Sequence, residues 1–264
     1  MIPFQVMIRF QESVAIAPSA ARWSRRRWLG TSALMFPFVR AQARSQDSAV
    51  RVLLVTGGHD HEPSFYSLFD SQEGMIVNVD PHPGAYRADF TSRYDVLVLY
   101  DMVQVDQIDG ERRKNLQTFV ESGKGLVVLH HAVCSYNQWE WWWRDVMGVR
   151  YLQKPEGNQP SSTYKHDEKL TITPLRPHPV LAGVGVMHMT DETYKGMWIS
   201  SSNTVLLKTD NPTSDGPVAW ISAYEKSRVV VIQPGHGREA HSNSDYRRLV
   251  RNAIFWAARG SVRA

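Results

Sequence analysis

The sequence predicts an α/β protein with a doubly wound, mainly parallel sheet and helices on both faces. Three segments consist only of apolar residues: Val52–Val55, Val96–Leu99 and Val229–Ile232. Continuously apolar strands are typical of parallel sheets that helices cover on both sides. Helical patterns lie between several strand segments, and the 264 residues contain 42% apolar and 21% charged residues. This composition excludes a disordered chain, a coiled coil and a multi-span membrane protein.

The strand segments are apolar runs bounded by turn residues. The clearest strands are predicted at Val50–Thr56, Met75–Val79, Tyr94–Tyr100, Gly125–His130 and Arg228–Gln233, and weaker ones at Leu170–Thr173, Val186–Met189, Val205–Lys208 and Pro217–Ile221.

Two helices follow from apolar residues that recur on one face. The first spans Glu111–Ser122, and Gly123 supplies a left-handed stop. The second begins near Asn243, which can cap it, and ends at Gly260. The Pro/Gly/Ser-rich segment Lys154–Ser162 is interpreted as a long loop over one end of the sheet. A single α/β domain over residues 44–264 accommodates all these elements.

The first 43 residues are predicted to be a twin-arginine signal peptide. Ser24–Leu29 fits the export motif, an apolar stretch follows at Trp28–Val39, and Ala41–Ala43 is a small-x-small cleavage site. The alternative is a basic surface helix. The signal predicts a periplasmic or otherwise exported protein that is free of the membrane after cleavage, because the apolar stretch is shorter than the ~20 residues that span a bilayer.

The positive charge of the chain belongs to this leader. The net charge is +4, but residues 1–43 hold six of the 30 basic residues and one of the 26 acidic ones. The remainder carries 24 basic and 25 acidic residues, a net charge of −1. Without a basic surface in the body of the protein, nucleic acid is not an expected partner.

Six of the ten histidines follow predicted strands, where the carboxyl ends of parallel strands form ligand sites. They are His59 and His61 after the first strand, His82 after the second, His130 and His131 at the fourth, and His236 after the last. Every loop after a strand lies at this edge of the sheet, so the position alone raises the number of histidines found there. The alternative for any single histidine is a solvated or backbone-bonded ring.

The segment Gly57–Glu62 carries the densest group of these polar side chains. His59 and His61 are candidate metal ligands, Asp60 is a candidate acid or base, and Glu62 is a candidate substrate-binding residue. The glycine pair could instead cradle a phosphate. The G-x-G-x-x-G spacing is missing, so no nucleotide cofactor is expected.

Distant loops supply the remaining candidates. His131, Glu192 and His236 are predicted to bind a divalent metal together with the first histidines: zinc in the first place, with manganese or iron as alternatives. His131 is also a candidate catalytic residue, and Asp101 a candidate acid or base. The spacing matches no local metal motif, so the site depends on the fold to bring these loops together.

Aromatic residues are the candidate sugar platforms. Trp139 and Trp142 lie at helical spacing and, with Tyr194, are assigned to substrate binding, because flat rings suit the apolar faces of a sugar. Core packing is the alternative for the tryptophans. Cys134, the single cysteine, is interpreted as a buried packing residue, and a cysteine-dependent amidase stays open as a third function.

Five motifs are distributed along this predicted domain: Val52–Glu62, His130–Ala132, Asp191–Tyr194, Pro217–Trp220 and Gly235–Gly237. Together they resemble the ThuA-like (trehalose utilisation) family over most of Val50–Arg259. The resemblance implies a flavodoxin-like, class I glutamine amidotransferase-like fold in which His131 stands at the turn that carries the amidotransferase cysteine. It also implies a role in disaccharide catabolism through 3-keto sugars, alongside a sugar dehydrogenase.

The sequence therefore predicts an exported, metal-dependent carbohydrate-processing protein that acts on a disaccharide or its 3-keto derivative by hydrolysis, isomerisation or oxidation-coupled handling of the glycoside. The competing hypothesis is a module that binds a sugar or supports a dehydrogenase partner without catalysis.

Overall fold

The computed structural model describes residues 49–103 and 108–260. The predicted signal peptide and its cleavage site lie outside the described residues. The strands are, in chain order, β1 (Val50–Gly57), β2 (Met75–Val79), β3 (Val96–Asp101), β4 (Gly125–Leu129), β5 (Val149–Arg150), β6 (Thr163–Pro174), β7 (Met187–Lys195), β8 (Trp198–Ile199), β9 (Thr204–Thr209), β10 (Pro217–Ile221) and β11 (Val229–Ile232).

Nine of these strands form one sheet in the order β2-β1-β3-β4-β11-β10-β9-β6-β7, and β5 pairs with β8 in a small second sheet. From β2 to β11 all pairings are parallel. From β11 to β7 all pairings are antiparallel. The sheet thus has a parallel half, β2-β1-β3-β4-β11, and an antiparallel half, β10-β9-β6-β7.

Helices cover both faces, which confirms the predicted fold class. The α-helices are α1 (Gly110–Glu121), α2 (Arg238–Ser242) and α3 (Ser244–Arg259), and shorter segments are 3-10 helices at Pro63–Phe69, Gly84–Tyr86, His130–Cys134 and Pro179–Leu181 and a π-helix at Trp141–Met147.

The ends of α3 follow the predicted caps. The Asn243 side chain accepts hydrogen bonds from the backbone N–H groups of Asp245 and Tyr246, both at 3.0 Å. Gly260 ends the helix with φ of 74°, a conformation that glycine adopts without a Cβ clash.

The sheet separates two hydrophobic cores because successive side chains of a strand point to opposite faces. Leu54 and Val98 pack with the α3 side chains Leu249 and Val250 on one side. Leu53 and Leu97 pack on the other, in the core that includes α1 residues such as Phe119. Within the described ranges, no helix combines the length and apolar character needed to cross a membrane.

Candidate functional site

A cavity of about 190 Å³ lies at the carboxyl ends of the parallel strands, where ligands bind in open α/β sheets. Loops of the parallel half and strands of the antiparallel half both contribute to its wall. The lining residues are His59, Met102, His130, His131, Cys134, Tyr151, Gln153, Tyr164, His166, Glu192, Tyr194 and His236.

Three of these residues form a cluster with the spacing of metal ligands. One donor atom from each of His130, Glu192 and His236 lies within 4.8 Å of the others. The His130 Nε2 atom is 3.1 Å from the His236 Nδ1 atom, which is 3.2 Å from the Glu192 Oε2 atom. We call these three residues the His/Glu triad. Two imidazoles and one carboxylate are a donor set suited to zinc, manganese or iron.

His130 occupies the sharp turn after β4. Its φ of 50° is left-handed, which is uncommon for a residue with a Cβ, and the turn joins a strand to a helix as does the sharp turn that carries the nucleophile in hydrolase folds. The side chain is fully buried, and the Nδ1 atom is 3.0 Å from the Gln233 carbonyl oxygen. An Nδ1–H that donates to this carbonyl leaves the Nε2 lone pair facing the triad, as in metal-ligating histidines. Burial also lowers the pKa of His130, which favours the neutral ring.

Asp191 fixes the loop that carries His236. Its carboxylate accepts hydrogen bonds from the backbone N–H groups of Gly235 at 2.7 Å, His236 at 2.9 Å and Glu192 at 2.8 Å. Burial nevertheless raises the pKa of Asp191 to about 6, against the effect of these hydrogen bonds. The buried Asp191 carboxylate therefore fixes the positions of two triad members, Glu192 and His236, relative to each other.

His131 lies beside the triad. Its Nε2–H donates to the Tyr100 carbonyl oxygen at 3.2 Å, which leaves the Nδ1 lone pair as an acceptor. Burial lowers the pKa of His131 to about 3, so the ring is neutral. The exposed His59 ring lies 5.0 Å from it, centroid to centroid. His59 and His131 thus line the cavity as neighbours of the triad.

The other candidates of the Gly57–Glu62 segment line an adjoining groove of about 410 Å³. Asp60 is exposed there. The His61 Nε2 atom is 3.2 Å from the Tyr66 hydroxyl, and Glu62 accepts a hydrogen bond from Ser64 at 3.1 Å. His59, His131 and His236 line both spaces, so the groove and the cavity meet at these three histidines.

Among the predicted aromatic platforms, Tyr194 lies in the cavity wall, where its ring stacks on His130 with a centroid distance of 5.7 Å. Trp142 is fully buried and Trp139 is 8% exposed, and both belong to the core on the α1 side of the sheet. The structure therefore packs the two tryptophans into the core and leaves them no open ring face for a sugar.

Asp101 lies in a separate buried group and not in the cavity wall. The Tyr136 hydroxyl donates to its Oδ2 atom at 3.0 Å, and the His82 Nδ1 atom is 3.5 Å from the same oxygen. Burial raises the pKa of Asp101 to about 7 and lowers that of His82 to about 4. The predicted rim position of His82 is thus an interior position beside Asp101.

Cys134 is buried at the cavity wall, four residues after the left-handed turn at His130. Burial raises the pKa of its thiol well above the usual range, whereas a nucleophilic cysteine needs a lowered pKa. The buried thiol is therefore not suited to act as a nucleophile here.

Sequence reasoning missed two residues of the site. It placed His131 in the metal set, but His130 is the one that joins Glu192 and His236. The position of His130 directly after the apolar strand was visible in the sequence, but the left-handed turn that directs its ring toward Glu192 and His236 was not. It did not assign His166, which lines the cavity from β6.

The fold and this site define the chain as an α/β protein with a class I glutamine amidotransferase-like fold and a His/Glu cluster at the junction of the two halves of its sheet. The family model described as ThuA, trehalose utilisation, matches residues 51–257. The chain belongs to this family.

Solved structures share the fold at low sequence identity. A putative ThuA-like protein from Parabacteroides merdae has a TM-score of 0.67 at 18% identity, covering 82% of this chain and 92% of its own. One from Bacteroides uniformis has a TM-score of 0.61 at 17% identity, covering 81% and 94%. PurLQS from Thermotoga maritima has a TM-score of 0.53 at 13% identity, covering 79% and 99%. No curated protein matches the sequence.

Proposed function

We propose that this protein is an exported, metal-dependent carbohydrate-processing enzyme that acts on a disaccharide or its 3-keto derivative by hydrolysis or isomerisation. The observation that carries the proposal is the His/Glu triad, whose His130 Nε2, His236 Nδ1 and Glu192 Oε2 atoms converge at the wall of a cavity.

The residues fit a divalent metal. The Gln233 carbonyl oxygen leaves His130 Nε2 free as a donor, and the Asp191 carboxylate anchors the backbone of His236 and Glu192. Such secondary hydrogen bonds typically orient metal ligands. Zinc is the first candidate and manganese or iron the alternatives, because two imidazoles with one carboxylate suit all three.

A bound metal supplies Lewis acidity toward a water or a sugar oxygen. The chain's own groups bind and orient the substrate around it. The His131 Nδ1 atom, with its ring neutral, accepts a hydrogen bond from a sugar hydroxyl, and His59 and Tyr194 border the same space. Asp60, exposed in the adjoining groove, is the proposed acid or base.

The shape of the site supports a substrate of two sugar rings. The cavity of about 190 Å³ and the groove of about 410 Å³ share His59, His131 and His236, so one ring in each space would bring the linkage to the shared histidines. Their combined size lies in the ~300–1,000 Å³ range typical of small-molecule sites. The family description, trehalose utilisation, also names a disaccharide.

The proposed location is the periplasm or another exported location reached through the twin-arginine route. The support is the Ser24–Leu29 motif with the apolar stretch and Ala41–Ala43 behind it. A sugar dehydrogenase that forms the 3-keto derivative is the proposed partner in the pathway.

One observation favours a second function, a sugar-binding module without catalysis. A single proton on His236 Nδ1, shared between His130 Nε2 at 3.1 Å and Glu192 Oε2 at 3.2 Å, satisfies the triad without any metal. The triad would then form hydrogen bonds with sugar hydroxyls and would not catalyse a reaction.

The experiment that separates the two is a screen of the zinc-, manganese- and iron-loaded protein against disaccharides and their 3-keto derivatives, read for any product. The enzyme hypothesis predicts product that disappears after chelation and in His130→Ala, but persists in His188→Ala, a surface histidine of β7. Sugar binding that survives chelation, with no product from any metal form, would contradict it and support the module.

A further inference from the structure

His166 of β6 reaches the triad from the antiparallel half. Its Nδ1 atom is 3.0 Å from the Glu192 Oε2 atom, and its ring centroid lies 4.8 Å from that of His236. The side chain is 49% exposed and lines the cavity. The Glu192 Oε2 atom therefore lies between two imidazole Nδ1 atoms, those of His166 and His236.

A β-bulge delivers His166 to this position. Lys165 pairs with Thr193 and Glu168 pairs with Asp191, so two β6 residues, His166 and Asp167, stand opposite Glu192 alone. Asp167 has a φ of 57°, a left-handed conformation that is uncommon for a residue with a Cβ. Bulges next to active sites commonly redirect a side chain.

The bulge moves His166 from one face of the sheet to the other. Regular alternation along β6 would place His166 on the same face as Leu170 and Ile172, which lie in the α3-side core. The extra residue shifts the alternation by one position. Tyr164 and His166 consequently line the cavity together with Glu192 and Tyr194, the latter directly paired with Tyr164.

We propose that His166 is the fourth protein ligand of the metal, which rests on the metal site in the proposed function. The four donor atoms would be His130 Nε2, His166 Nδ1, Glu192 Oε2 and His236 Nδ1. In this structure His166 contacts Glu192 but lies outside the group of three donors within 4.8 Å of one another, so its half-exposed ring would move toward them when a metal binds. A zinc ion held by these four donors would accept a water or sugar oxygen as a fifth ligand, since catalytic zinc sites can expand to five-coordinate. The set also assigns a purpose to the bulge. The parallel half supplies His130 and the loop with His236, and the antiparallel half supplies Glu192 and His166.

The test measures Co²⁺ and Zn²⁺ binding to the purified wild type, to His166→Ala and to His188→Ala. His188 is the matched control because it is an exposed histidine of the neighbouring strand whose Nδ1 atom contacts Thr171 instead, at 3.1 Å. Affinity comes from competition with a chelator, and coordination from the visible absorption of Co²⁺. Thermal unfolding of the metal-free proteins verifies that both variants fold.

We expect the wild type and His188→Ala to bind one ion per chain with the strong absorption of four-coordinate Co²⁺. We expect His166→Ala to bind about 10- to 100-fold more weakly, with a shifted Co²⁺ spectrum. Equal affinity and an unchanged spectrum in His166→Ala would overturn the fourth ligand and leave the triad intact. A wild type that binds neither ion would overturn the metal site itself and the fourth ligand with it.

Discussion

The parallel and antiparallel halves of the sheet contribute to the site in different ways. The parallel half ends in loops and in the left-handed turn at His130, so its functional groups follow strands. In the antiparallel half the functional groups, such as Glu192, lie within the strands. Strand residues are held by cross-strand hydrogen bonds, whereas the loop residue His236 needs the Asp191 carboxylate to hold it. A site at the junction of the two halves therefore depends on the correct position of one half of the sheet relative to the other.

We expect the largest loss of zinc binding from single variants that each remove one metal ligand, one variant in the parallel half and one in the antiparallel half. We expect His130→Ala and Glu192→Gln each to abolish stoichiometric zinc binding, because each removes one of the three converging donors. Equilibrium dialysis with elemental analysis measures the zinc content. Zinc retained in either variant would show that the two halves do not share a metal, and Glu168→Gln, which leaves the triad untouched, is the control.

The second prediction concerns Asp101, which ends a parallel strand but belongs to a separate buried group. Its pKa of about 7 in the folded protein exceeds the unfolded value near 4, so folding favours the protonated form. Its contribution to stability is present below about pH 4 and is lost as the pH rises to about 7, by up to ~4 kcal/mol.

We therefore expect Asp101→Asn to gain stability relative to the wild type as the pH rises from 4 to 7.5, measured by urea unfolding. The lowered pKa of His82 makes the free energy of unfolding rise with pH instead. Because His82 is present in both proteins, its contribution cancels when they are compared. A difference between the two proteins that does not change with pH would contradict the buried, protonated carboxyl. Zinc affinity should be the same in both.

The third prediction tests the connection between the halves. Gly235 donates to one Asp191 oxygen, and His236 and Glu192 donate to the other. Asp191→Asn replaces one of these oxygens by an NH₂ group that cannot accept, so at least one of the three backbone N–H groups loses its partner. We expect zinc affinity to fall about 10- to 100-fold, measured by chelator competition.

The matched control for this change is Asp215→Asn. The Asp215 carboxylate accepts the backbone N–H groups of Gly196 and Met197, both at 2.9 Å, so it is the same kind of contact away from the triad. An equal loss of zinc affinity in both variants would mean that general destabilisation, and not the position of His236, is responsible.

The smallest expected effect distinguishes two adjacent histidines. His131→Ala should leave zinc affinity within about threefold of the wild type, or ~0.6 kcal/mol, because the His131 Nε2–H is bound to the Tyr100 carbonyl oxygen outside the triad. It should instead weaken sugar binding, measured by calorimetry. A loss of zinc comparable to that of His130→Ala would restore His131 to the metal set.

The parallel half could be predicted from sequence because burial on both faces leaves continuous apolar runs. Val96–Leu99 is an example, and it lies within β3. Strand β6 shows the limit. Its exposed residues between Thr163 and Glu168 carry no apolar run, so only the buried segment from Leu170 was predicted as strand. The bulge interrupts the two-residue alternation by which a strand is detected in a sequence. His166 lies in this bulge and was therefore not assigned to the site.

The candidate site was predictable at the level of loops and not of side-chain direction. The structure brings Glu192 and His236 close together, because β7 and β11 run in the same direction and Glu192 lies near the end of one while His236 follows the other. The choice between His130 and His131 depended on one left-handed residue, which spacing does not reveal. Asp101 and Trp142 failed to reach the cavity because the pleat and the π-helix direct them into the interior.

The most direct test of the account is anomalous diffraction from a crystal of the zinc-loaded protein. We expect one strong peak within bonding distance of His130 Nε2, His236 Nδ1 and Glu192 Oε2. The absence of a peak there, or a peak coordinated elsewhere on the chain, would contradict the metal site.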